Sequence, residues 1–372
     1  MDLAYQRLRE HLDSLPGGFP PTESGVEIRI LKRLFTPQEA ELARQVTMKL
    51  ETSATIAERV GMEEQEIALR LSEMARKGLI FSIETPDRPA KYMAAQFIVG
   101  IWEYHVNDLD AALVNDVEAY LPTLAIEALD YLPQLRTIPV GKSIQNDLEI
   151  LPYEQAEALV KNQKKFLVAP CICRRERQMK GHSCDKIMEA CLVFGWAADY
   201  YERNGLGRKI TLKETMEILK GAEEEGLVLQ PSNSQEITNI CCCCGDCCQI
   251  LVNLKRHPAP AQVASSPFVV DAQREACIGC ETCLDRCQME ALRLEDESIV
   301  VHKDRCIGCG LCISTCPSQC LTLVRKPKAK QHQVPQDPKE AHLWRAKARA
   351  AAKADLASKM KRLTDTDPPH PS

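Results

Sequence analysis

Cysteine constrains this chain more than any other residue, because eight of its nineteen cysteines recur as one pattern, twice, with an offset of 29 positions. The stretch "FVVDAQREACIGCETCLDRCQMEALRLE" aligns with "SIVVHKDRCIGCGLCISTCPSQCLTLV", so that Cys277, Cys280, Cys283 and Cys287 fall on Cys306, Cys309, Cys312 and Cys316. Each half reads C-x-x-C-x-x-C-x-x-x-C between short apolar, strand-like segments. Cysteines three apart in a tight loop turn their sulfurs toward a common centre, which is an arrangement for binding metal. The chain is far longer than a small disulfide scaffold and opens with the polar "MDLAYQRLREHLDSL", without a signal-peptide apolar region. Reduced thiolates in the cytoplasm are therefore expected. The longest apolar runs, such as "YMAAQFIVGIW", are too short to cross a bilayer, which leaves peripheral docking on a membrane complex open.

Residues 268–324 resemble a bacterial-type dicluster ferredoxin. The resemblance implies two [4Fe–4S] clusters with crossed ligation: Cys277, Cys280, Cys283 and Cys316 for one, and Cys306, Cys309, Cys312 and Cys287 for the other. Gly279, Gly308 and Gly310 let the loops wrap closely, so that backbone N–H groups approach the sulfurs. One departure stands out: the second motif ends Cys316-Pro317, whereas the first ends Cys287-Gln288. Paired zinc ribbons also use C-x-x-C, but two complete four-cysteine motifs in tandem speak for clusters. Cys320 aligns with Ala291 and is read as a packing residue.

The other ten cysteines lie between residues 150 and 255. "ITNICCCCGDCCQIL" packs six of them into eight positions, and Cys241, Cys244 and Cys247 share one frame of three that repeats the glycine of "CIGCGLC". A third iron–sulfur centre on that frame would take its fourth ligand from Cys171, Cys173, Cys184 or Cys191. Cys171 and Cys173 precede Arg174, Arg175 and Arg177, whose charge stabilises thiolates. Cys184 and Cys191, read on one helix through "CDKIMEACLVFGWAADYYER", lie two turns apart on one face. "Cys243-Cys244-Gly245" also resembles the C-C-G core of the cysteine-rich domain of heterodisulfide reductases, which implies a noncubane cluster acting on disulfides; the rest of that pattern is absent. Ten cysteines exceed the needs of one cubane, so Cys242, Cys243 and Cys248 remain for a second centre, a redox-active dithiol or packing. Zinc is the alternative for this region; it explains the spacing but not six nearly contiguous thiols. "TLKETMEILKGAEEEGLV" has Thr211 as N-cap, Glu214 at N3 and Gly226 as the C′ residue, which favours a mainly helical middle domain.

Toward the amino terminus, Thr36, Pro37 and Glu39 mark a helix start, two further helices follow, and "FSIETPDRPAKYMAAQF" is expected to form a hairpin. Residues 34–98 resemble a winged helix-turn-helix with Ile56, Ala57, Val60, Ile67, Leu71, Met74, Leu79 and Ile80 as its core. DNA readout would need cations at the start of the second helix, but Glu63, Glu64 and Glu66 stand there, so protein docking is favoured over nucleic acid. No phosphate-cradling glycine loop is present. The carboxyl-terminal segment is basic: Arg325 to Ser372 carries twelve bases and five acids, suited to an acidic partner.

The expected fold is α+β and multidomain: an amino-terminal segment (1–33), a winged-helix-like domain (34–104), a helical cysteine-rich domain (105–255), a linker (256–267), a dicluster ferredoxin domain (268–324) and a basic tail (325–372). The expected function is relay of low-potential electrons, through two [4Fe–4S] clusters and one or two further centres, to or from a partner redox enzyme or oxidoreductase complex. The alternatives are a thiol–disulfide or heterodisulfide-type oxidoreductase and a redox-sensing DNA-binding regulator. Nothing in the sequence indicates an oligomeric state.

Overall fold

The computed structural model describes residues 2–129, 133–182 and 184–364. A five-stranded antiparallel sheet lies between two cores. Its strands run in the spatial order Arg208–Lys209, Phe166–Pro170, Glu189–Phe194, Asn239–Cys243, Val228–Pro231. Side chains alternate across it. Leu167, Ala169 and Val193 join the core built with the amino-terminal helices, whereas Val168, Leu192, Phe194, Ile240 and Cys242 join the core shared with the cysteine repeat. Register aligns Ala169, Cys191, Cys241 and Gln230 in one cross-strand row.

This sheet corrects the expectation of a mainly helical middle region. Glu189–Phe194 is a strand, and only Gly195–Arg203 continues as a helix, so Cys184 and Cys191 do not share a helical face. The segment is ambiguous because a central strand buried on both faces is a continuous apolar run, which satisfies helical spacing as readily as alternation. The break comes at Gly195, whose φ of 57° suits glycine and ends the extended run. Helix Leu212–Glu224 starts where its cap indicated, with the Thr211 hydroxyl accepting the Glu214 N–H at 3.1 Å.

In the amino-terminal part, Thr36 accepts the Glu39 N–H at 3.2 Å while the Glu39 carboxylate accepts the Thr36 N–H at 2.8 Å. Helices Ser53–Val60 and Glu64–Arg76 precede the hairpin of Ile80–Thr85 and Arg88–Ala94, to which Glu51–Thr52 adds a short third strand. Ile56, Ala57, Ile67, Leu71, Met74, Leu79 and Ile80 are buried, and Val60 packs half-buried against them. The hairpin is fastened to the middle region. Phe81 contacts the rings of Trp196 and Tyr200, and the Tyr200 hydroxyl lies 2.9 and 3.0 Å from the Ala75 and Ile80 carbonyls.

The basic segment forms helix Pro338–Thr364, which buries Ala341, Arg345 and Arg349 at intervals of four. Arg349 and Lys353 both pair with Asp13, so part of the positive charge is met within the chain. Residues 365–372 of the expected tail lie outside the described residues. Burial, with Arg345 alongside, lowers the His342 imidazole to about 4, and the ring lies 3.3 Å from the Gln96 amide. A depressed histidine stabilises the fold above its unfolded value of about 6.5 and loses that contribution as pH falls toward 4, on the order of 3 kcal/mol in all. Protection factors across Pro338–Thr364, which take out the pH dependence of intrinsic amide exchange, should therefore fall between about pH 7.5 and pH 5 in the parent but much less in His342→Gln; an equal fall in both would refute the assignment.

Candidate metal centres

In the repeat, Phe268–Ala272 pairs with Leu321–Arg325 and Leu292–Glu295 with Ser298–Val301, which leaves the cysteine loops between the two ladders. Cys277, Cys280, Cys283 and Cys316 line one small site. Cys306, Cys309 and Cys312 gather near Cys287, close enough for their charges to act on one another. Cys316 thus lies with the first trio and Cys287 with the second. Backbone donors point at the sulfurs: Ala291 N–H reaches Cys287 Sγ at 3.1 Å and Val270 N–H reaches Cys306 Sγ at 3.4 Å. Gly308 and Gly310 have φ of 68° and 74°, and a Cβ there would collide with the Phe268 carbonyl and the Ser143 hydroxyl, respectively. Cys320 is buried, but its sulfur lies 3.5 Å from Cys316 Sγ, inside the first site's wall. Burial pushes this thiol up to about 11.

The middle cysteines separate into two groups. Cys171, Cys173, Cys191, Cys241, Cys243 and Cys248 line a cavity of about 310 Å³, which Cys242 and Cys244 also border. They come from four places: the start of helix Ile172–Met179, strand Glu189–Phe194, strand Asn239–Cys243, and the N-cap of helix Gln249–Arg256. Their thiols interact in a row, Cys171 with Cys173, Cys173 with Cys248, Cys248 with Cys243, Cys243 with Cys241 and Cys241 with Cys191. The Cys191 and Cys243 thiols hold Cys241 well below the ordinary thiol range; Cys173 and Cys243 do the same for Cys248. Asn239 Nδ2 at 3.7 Å from Cys241 Sγ and Gln230 Nε2 at 3.9 Å from Cys248 Sγ supply further donors. Glu103 faces the same cavity; burial pushes its carboxyl up to about 8 although it accepts the Gly100 N–H at 2.9 Å.

Cys184, Cys244 and Cys247 form the second group together with Asp246, with every ligand atom within 4.8 Å of the others. The frame Cys241, Cys244 and Cys247 is therefore divided. A spacing of three converges sulfurs in a loop, but Cys241 and Cys243 sit on a strand, where alternation turns both to the cavity and Cys242 to the opposite core. The chain leaves the strand after Cys243, and only then do Cys244 and Cys247 turn toward Cys184. Burial pushes the Cys242 thiol up, in keeping with a neutral packing residue.

Arg174 lies between the groups and is 1% exposed. Its guanidinium donates to the Ile187 and Cys242 carbonyls at 2.8 and 3.0 Å, and its Nε has no partner among the described residues. Burial opposes its charge, but the thiolates of Cys171, Cys244 and Cys243 more than offset that cost. The departure from the repeat also finds its place. Gln288, where the second motif has proline, accepts the Gly245 N–H at 2.6 Å and donates to the Gly226 carbonyl at 3.0 Å. Arg286 donates to the Glu223 and Glu224 carbonyls at 2.5 and 2.8 Å, capping the end of helix Leu212–Glu224. The sequence flagged Gln288 only as an exception, left Asp246 unnoticed inside C-G-D-C, and offered no sign of Glu103.

No curated protein and no solved structure matches this chain. Residues 270–323 match the family model of the 4Fe-4S dicluster domain, a family that implies 4Fe–4S clusters and iron–sulfur electron transfer. The segment carrying the two cysteine quartets, residues 270–323, is a 4Fe-4S dicluster ferredoxin unit.

Proposed function

We propose that the protein is an iron–sulfur electron carrier in which the ferredoxin quartets and the cavity cysteines form one path toward a partner redox enzyme. Cys277, Cys280, Cys283 and Cys316 hold one [4Fe–4S] cluster and Cys306, Cys309, Cys312 and Cys287 the other. Cys171, Cys173, Cys191, Cys241, Cys243 and Cys248 offer six thiols to at least one further centre. When bound, such clusters supply single-electron chemistry at low potential. The observation that carries the proposal is the Gln288 bridge. Gln288 directly follows Cys287 and accepts the N–H of Gly245, the neighbour of Cys244, so a path containing a single hydrogen bond links the second quartet to the cysteine loop. Arg286 and Gln288 hold the two regions in register while Arg174 and the amide donors compensate thiolate charge.

The disulfide-reducing alternative draws on one feature: the cavity continues past the cysteines along Phe81, Met93, Trp102 and Leu124, leaving an apolar extension for a substrate. A noncubane resonance and disulfide turnover with reduced viologen would favour it. DNA binding remains the least supported reading, because helix Glu64–Arg76 opens with Glu63, Glu64 and Glu66. Partner docking is assigned to the amino-terminal helices and hairpin. Among the described residues no helix is long and apolar enough to cross a membrane.

Anaerobically prepared protein should contain about 12 to 16 iron per chain, and Cys241→Ser should lose about four of these while the ferredoxin resonances persist. A parent value of about eight would remove the cavity centre from the proposal. Gln288→Ala should keep all clusters but slow electron exchange between the ferredoxin pair and the middle centre by about tenfold or more, measured by rapid-freeze paramagnetic resonance. An unchanged rate would show that the bridge is not the path.

A further inference from the structure

The group of Cys184, Cys244, Asp246 and Cys247 differs from every other cysteine set in the protein by its tightness. All four ligand atoms lie within 4.8 Å of one another, and Cys184 Sγ is 3.9 Å from Cys244 Sγ. Among the described residues no other three cysteine, histidine or carboxylate side chains converge this closely, the ferredoxin quartets included. That contrast has a chemical meaning. Sulfurs on one tetrahedral ion, with metal–sulfur bonds of about 2.3 Å, stand about 3.8 Å apart. The thiolates around a cubane each bind a different iron at a different corner and so stand farther apart.

We infer that Cys184, Cys244, Cys247 and Asp246 bind a single zinc ion in an S₃O site, separate from the iron–sulfur centres. Three thiolates and a carboxylate form a closed tetrahedral set, which is the coordination of a structural ion. The placement explains what the ion does. Cys184 belongs to the loop between helix Ile172–Met179 and strand Glu189–Phe194, whereas Cys244, Asp246 and Cys247 form the turn between strand Asn239–Cys243 and helix Gln249–Arg256. An ion shared by the two segments ties them together. That turn has Cys243 and Cys248 of the cavity at its two ends and presents Gly245 to Gln288. The zinc would therefore brace this turn, without taking part in electron transfer, since Zn²⁺ has no redox chemistry. Arg174 beside Cys244 offsets part of the site's negative charge.

This inference goes beyond the electron-carrier reading and is tested apart from it, because zinc and iron are counted in the same sample. Full-length protein grown with both metals should contain one zinc per chain by mass spectrometry, and zinc-edge absorption should show three sulfur neighbours at about 2.3 Å and one oxygen at about 2.0 Å. Cys247→Ser should lose the zinc with iron unchanged, whereas Cys241→Ser should lose iron and keep zinc. Should Cys247→Ser fail to fold, Asp246→Cys, at an exposed position, keeps the ion and converts the edge spectrum to four sulfurs. The inference is overturned if the parent binds no zinc, if a single iron occupies the site instead, if Cys247→Ser removes about four iron, or if Asp246→Cys leaves the zinc shell unaltered.

Discussion

Everything in the middle of this protein depends on how negative charge on sulfur is tolerated away from water. Thiolates buried among apolar side chains are costly unless cations and donors surround them. The chain places Arg174, almost wholly buried, between two cysteine groups, where it donates to the Ile187 and Cys242 carbonyls and to the Cys244 sulfur. Amide donors from Asn239 and Gln230 and N–H groups at the ferredoxin loops supply the rest. Removing Arg174 would uncover charge on both sides of it, which makes this one side chain central to the region.

The same charge logic organises the contact between the ferredoxin unit and the sheet. Arg286 caps the carbonyls at the end of helix Leu212–Glu224, and Arg325 pairs with the buried Glu154 at 2.5 Å while its guanidinium lies 4.7 Å from the centre of the Phe268 ring. Gln288 adds a neutral link at the cysteine loop. The ferredoxin unit is thereby held as part of the second core, and Phe268, Leu321 and Leu323 share that core with Leu192 and Ile240 of the sheet. On the proposed path, electron transfer would benefit from such rigidity, because distance and orientation are set by packing rather than by encounter.

How much of this was legible beforehand varies by element and for physical reasons. The helix starts at Thr36 and Thr211 could be read because caps are local, decided by residues three apart. The cysteine repeat could be read because metal ligation imposes short, fixed intervals. The strand Glu189–Phe194 could not, since a run buried on both faces loses the alternation that distinguishes strand from helix. The division of the cysteine run failed for the same reason: whether three thiols at intervals of three converge depends on the backbone beneath them, and here the backbone is extended through Cys243 and turns only after it. Glu103 carries no sequence signal at all, because its position opposite Cys241 arises from packing across the cavity.

By itself the sequence determined which atoms are available: two cysteine quartets at ferredoxin intervals, ten further thiols, Arg174 beside them, and a glutamine in place of proline after Cys287. Only the tertiary structure decided how the ten are apportioned, with six thiols interacting in a row along a cavity, three joining Asp246 in a tight tetrad and Cys242 joining the core shared with the cysteine repeat. The physical reason is that ligands within one loop are related by spacing along the chain, whereas ligands brought together from a helix, two strands and a turn are related only by the sheet that aligns them.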